Sequence, residues 1–143
     1  MDITLIFVLF LVLAAEFVNG WTDAPNAIVT VVSTRVMSRG SAVAMAVVFN
    51  VIGVFSGTAV AATIGKGIID SGVVNPPTIG AALLGVIIWS SVAAHFGMPT
   101  SESHALVSGL AGAALAVAGP DALLWSGWKK VLLGLFMSGV VGF

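Results

Sequence analysis

Long apolar runs, cut by two short polar islands, decide the kind of fold this sequence can adopt. A helix needs roughly 20 apolar residues to cross about 30 Å of hydrocarbon, and inside a bilayer helices satisfy their own backbone hydrogen bonds. Residues 3–17 form a first apolar run, which meets Asn19, Gly20 and the stretch "GWTDAPNAIVT" and then resumes over 27–32. That pattern predicts one membrane helix with a polar interruption. Residues 33–40 carry Arg35 and Arg39 and must lie near water, because arginine at bilayer depth is costly. A second segment is expected from 41 to about 64. It is followed by an interfacial loop, "KGIIDSGVVNPP", whose double proline blocks helix continuation. A third segment runs from 78 to about 96. Beyond it "GMPTSESH" is the second island, and residues 105–118 are slightly too short for an untilted span. The third and fourth segments therefore form either two crossings or a re-entrant hairpin.

The last two stretches extend the same reading. "GPDALLWSGWKK" reads as interfacial, with Trp125 and Trp128 in the aromatic belt. About thirteen apolar residues from Val131 are too few to span, so the chain is expected to end inside a membrane helix or to be part of something larger. The expectation is an all-α, polytopic membrane protein with discontinuous helices, residues 1–143 forming a single transmembrane unit. The first run lacks a basic flank and has Asp2 beside it, so it reads as a retained helix rather than a leader. Arg35 and Arg39 fall opposite Lys66, Lys129 and Lys130, a balance that sets no orientation.

Composition removes several functions. Charged residues make up 8% of the chain, and its net charge of −1 leaves no basic surface for nucleic acid. The absence of cysteine excludes disulfides and thiolate metal sites. No long soluble stretch offers a separate catalytic domain. Ser and His occur without a recognised pairing of nucleophile and base, so the chain reads as no enzyme, with no cofactor.

In the first island Asp23 and Asn26 are three apart and Thr22 and Asn26 four apart, so each pair shares a helix face. Pro25 removes one backbone donor, and Gly20 makes unwinding cheap. A helix broken there presents carbonyls that suit a cation; the bland alternative is an Asp and Asn bonded across a helix interface. In the second island Pro99 is expected to stop one helix and Thr100 or Ser101 to cap the next. Ser101, Glu102 and Ser103 then stand at its positive end, where hydroxyls and unpaired N–H groups form an anion cradle. An ordinary cap, with Glu102 favouring the dipole, explains the same residues. His104 is a candidate for contact with substrate or proton and His95 reads as interfacial. Glu16 is a possible proton relay or a water-facing acid, and Asn50 a possible inter-helix hydrogen bond.

The two islands together resemble the inorganic phosphate transporter family of permeases. "NGWTDAPNA" is similar to the family's first signature and "PTSESHALVSG" to its second, with "GKGIID" similar to the loop after its second helix. The resemblance covers nearly the whole chain. It implies a secondary active transporter that carries inorganic phosphate across the plasma (cell inner) membrane with sodium or protons. It further implies two inverted repeats, each with one signature copy. One copy is present here, so the chain resembles the N-terminal half, and its partners would be the lipid bilayer and a second repeat, as a homodimer or a separate C-terminal half. Carried onto this sequence, Thr22, Thr100, Ser101, Ser103 and His104 would contact phosphate, and Asp23 and Asn26 would hold the cation. Thr22 departs from the family's usual Asn, Glu102 from a small residue, and Asn50 from a glutamate of sodium-coupled eukaryotic relatives. A rival of another class is a passive membrane subunit, such as a channel or a proton-translocating rotor component. It needs one buried carboxylate and small-residue helices, but not two separated islands.

Overall fold

The computed structural model describes residues 2–56 and 67–142. Residues 57–66, which include the expected end of the second segment and Lys66, lie outside the described residues. Five α-helices are described: α1 (Ile3–Ser33), α2 (Arg39–Ser56), α3 (Pro76–His95), α4 (Glu102–Ala118) and α5 (Trp125–Gly142), with a 3-10 turn at Pro120–Ala122 before α5. By length and composition α1, α2 and α3 suffice to cross a membrane, and α4 is a shorter apolar helix. The chain is a helical integral membrane protein.

The expected break in the first segment is absent. α1 is one helix of 31 residues that runs through Gly20 and Pro25. Proline in a helix interior forfeits one backbone bond and costs about 3 kcal/mol. Unwinding there would leave several N–H and C=O groups short of partners, each at a cost of roughly 2–7 kcal/mol in apolar surroundings, so the continuous helix is the smaller loss. Side chains add bonds around the proline: the Thr22 hydroxyl donates to the Val18 carbonyl at 3.0 Å, and the Asn26 amide donates to the Thr22 carbonyl at 3.3 Å.

The other proline-rich stretches resolve differently. No helix continues through Pro76 and Pro77 from the loop before them, and the two prolines themselves open α3, behind Asn75, whose side chain accepts the Thr78 N–H at 3.0 Å. A first-turn proline loses no bond that the helix would have made. The chain is interrupted at the second island, where α3 ends and α4 begins, as the sequence led one to expect.

Packing joins α1, α3 and α4. Val8, Leu11, Ala15 and Val18 recur at helical spacing and are buried. The first three cluster with Leu83 of α3, with Leu106 of α4 packed alongside. The arms of the α3–α4 hairpin touch almost backbone to backbone, because a Cβ added at Gly109 would meet the Ala82 carbonyl oxygen at 2.9 Å. A second cluster joins Ile68, Ile69, Val107, Ala114 and Ala122. It is tied by backbone bonds from Asp70 N–H to the Ala122 carbonyl (2.8 Å) and from Leu124 N–H to the Ile68 carbonyl (2.9 Å). Trp128 packs on this cluster and its indole nitrogen is buried. It therefore serves the core, where the sequence suggested an interfacial belt, while Trp125 is exposed as expected. α2 and α5 each bury one residue, Ala42 and Gly127.

Candidate functional site

The two islands meet. Adjacent residues on a helix point about 100° apart, so α1 presents two different stripes at this level. Thr22 continues the packing stripe of Val8, Leu11, Ala15 and Val18 toward the hairpin. Asp23 belongs to the neighbouring stripe, with Glu16, Asn19 and Asn26. That polar stripe, spaced three and four residues apart, was legible in the sequence and marks one helix face.

Asp23 and its stripe line an open groove of about 950 Å³ between α1 and α2, which Asn50 of α2 and Thr100 of the hairpin tip also line. Asp23 is half-buried and Glu16 exposed. Among the described residues Asn50 does not bridge helices as suggested; its amide donates one proton to the Ala46 carbonyl of its own helix at 2.8 Å. Asn26 commits one amide proton in the same way. Each carboxamide keeps its oxygen and one N–H, and the oxygens join the Asp23 and Glu16 carboxylates in the groove. Oxygen acceptors around a carboxylate suit a hard cation.

The hairpin tip is built by two local devices. Gly97 adopts a left-handed backbone (φ 66°); its N–H bonds the Ala94 carbonyl at 3.0 Å, and the Met98 N–H bonds that of Ala93 at 2.9 Å. This paired closure ends a helix and favours glycine. Ser101 then caps α4, its hydroxyl oxygen accepting the His104 N–H at 3.4 Å. The first N–H groups of α4 have no partner within the helix. A second groove, of about 600 Å³, is lined by Thr100, Ser101, His104 and Ser108, with Trp89 of α3 on its wall. A third concavity of about 400 Å³ lies between Thr22, Pro25 and Asn26 of α1 and the hairpin tip.

The expected site residues thus divide. Asp23, Asn26 and Thr100 line one groove, and Thr100, Ser101 and His104 line another. Thr100 belongs to both and is half-buried at their junction. Ser103 is exposed and lines neither groove. Thr22 has its hydroxyl engaged: besides the Val18 carbonyl it reaches the Asn19 carbonyl and the Glu102 carboxylate, both at 3.3 Å. Sequence reasoning gave Glu102 to the helix dipole and overlooked this contact, for which no local pattern across 80 residues offers a signal. His95 is exposed and edge-on to Phe96, with ring centroids 5.4 Å apart. The tip stands level with Asp23 and Asn26, and α1 continues for residues 27–33, about 10 Å further.

A bundle of apolar helices with a polar, acid-bearing groove beside the turn between two of them defines a polytopic helical membrane protein. Residues 19–143 match the phosphate transporter family, and the chain belongs to that family. A probable low-affinity inorganic phosphate transporter of Rhizobium meliloti is 47% identical over the whole of this chain, and one of Bacillus subtilis is 38% identical over the same extent. The chain spans 45% and 44% of those relatives' own lengths. A solved structure named "The sodium-dependent phosphate transporter" matches with a TM-score of 0.89 at 28% identity, over 99% of this chain and 36% of that one. These relatives are named as transporters, not enzymes.

Proposed function

We propose that this chain forms one repeat of a secondary active transporter that carries inorganic phosphate across the plasma membrane together with a cation. The observation that carries the proposal is the sharing of Thr100 between the groove of Asp23 and the groove of Ser101 and His104. Phosphate is held by the hydroxyls of Thr100 and Ser101, by the free N–H groups that open α4 and by His104, with Thr22 bordering the site and the Ser103 side chain outside it. The cation is held by Asp23 and the carboxamide oxygen of Asn26.

Electrostatics then couples the two. Like charges about 4 Å apart repel by roughly 4 kcal/mol at an effective dielectric of 20, nearly a thousandfold in affinity. A carboxylate at position 23 rejects phosphate until a sodium ion or a proton cancels its charge. By linkage, phosphate raises the affinity of the cation by the same factor. The carboxylate and carboxamide oxygens of the groove suit sodium, and the name of the structural neighbour favours it too. A proton on Asp23 serves the same electrostatic end. No residue need unwind for this, since side chains line the groove on an intact helix.

A second repeat completes the transporter, either as a second copy in antiparallel orientation or as a separate C-terminal half. Crosslinking between tags accessible from opposite sides of the membrane separates these, and a single uniform orientation excludes the antiparallel pair. The transport reading itself is tested by counterflow of labelled phosphate in proteoliposomes holding the complete transporter, under a sodium gradient or a pH gradient. Cation-driven accumulation is expected. Downhill flux indifferent to both gradients would replace the transporter with a channel.

A further inference from the structure

The bond between Thr22 and Glu102 joins positions 80 residues apart. Among the described residues it is the one side-chain hydrogen bond that links two helices. Glu102 is half-buried at the first position of α4, immediately after the cap Ser101 and two residues after Thr100. Its partner Thr22 is immediately before Asp23. The contact therefore spans the two islands at the residues next to those that line the grooves.

We propose that Glu102 is a positioning residue for phosphate binding: through Thr22 it holds the hairpin tip, and with it Thr100 and Ser101, against the part of α1 that bears Asp23. The inference deepens the transport reading and rests on it for the consequence in uptake. The contact itself stands apart from that reading.

A threonine hydroxyl has one proton to give. Three oxygens share it here: the Val18 carbonyl at 3.0 Å, the Asn19 carbonyl at 3.3 Å and the Glu102 carboxyl at 3.3 Å. The first two lie within α1, and the third carries the bond across to α4.

The test uses the complete transporter in proteoliposomes, with two readouts: the phosphate KM and the distance between spin labels at the exposed positions Phe17 and Phe96. Glutamine keeps a donor and an acceptor that reach Thr22, so Glu102→Gln is expected to leave both readouts near those of the unmodified protein. Glu102→Ala and Thr22→Val each remove the bond. Either should raise the phosphate KM about tenfold, the worth of one hydrogen bond, and lengthen the label distance, and the double variant should do no more than either alone. An unchanged label distance and KM in Glu102→Ala, or losses that multiply in the double variant, overturn the positioning role and leave transport intact. A distance that lengthens as described, in a protein that accumulates no phosphate, overturns the transport reading and leaves the contact.

Discussion

Two prolines flank the candidate site and have opposite outcomes. Pro25 lies inside α1, which passes through it unbroken, whereas Pro99 lies in a true gap between α3 and α4. Proline is common to both, so it is not what breaks the chain. At the second island a left-handed glycine closes one helix before the proline is reached and a serine cap opens the next after it. At the first, Gly20 stays helical and the Thr22 hydroxyl turns back to the Val18 carbonyl instead of capping a new start. The lesson is that an ending and a beginning must both be encoded. Chemistry follows the difference: the intact helix offers side-chain acceptors, and the gap offers backbone donors.

The largest effect should come from the acceptor side. Asp23→Asn is expected to abolish cation-dependent phosphate uptake while leaving membrane insertion unchanged, read by flux in proteoliposomes and by protease protection. Uptake that keeps its cation dependence would remove Asp23 from the mechanism and with it the division of labour between the islands. Next is the closeness of the hairpin arms. Gly109→Val puts a side chain where even a Cβ lies 2.9 Å from the Ala82 carbonyl oxygen, and overpacking of this kind costs about 1–3 kcal/mol. Thermal unfolding in detergent should show that loss, and an unchanged midpoint would mean that the arms part freely. Ser101→Ala follows, removing a cap worth about 1 kcal/mol. It should weaken phosphate binding more than cation binding in titrations of each against the other; equal losses would reduce Ser101 to a folding role.

Much of this arrangement was legible before any coordinates. The apolar lengths placed α1, α3 and α4 within two or three residues, and Pro99 and Ser101 announced the gap, although the helix is closed by Gly97, which the sequence reading had not singled out. Pro25 misled because its local cost is evident in sequence, while the larger cost of leaving backbone groups unpaired in apolar surroundings belongs to the whole segment. The double proline at 76–77 marked the end of the loop, and only its membership of the first turn of α3, behind the Asn75 cap, went unread. The division of Thr22 from Asp23 was implicit in helix periodicity, because one continues the apolar stripe and the other the polar one. The pairing of Thr22 with Glu102 was not, since it depends on where a hairpin 80 residues away comes to rest.

The smallest predicted effect bears most directly on the contrast between the islands. Gly20 and Gly97 sit at comparable places, a few residues ahead of Pro25 and Pro99, and at neither does an added Cβ meet anything within 4 Å. Sterics with neighbours therefore cannot distinguish them, and only backbone conformation can. Gly97 is left-handed, a state that costs an L-residue with a Cβ roughly 1–2 kcal/mol, whereas Gly20 is helical, where alanine gains roughly 0.5–1 kcal/mol over glycine. Gly97→Ala should lower the unfolding midpoint and Gly20→Ala should raise it, a change of sign from one chemical substitution. If both lower it, α1 unwinds at Gly20 in the working protein, the first island is a broken helix after all, and the cation is held by freed carbonyls in addition to the Asp23 side chain.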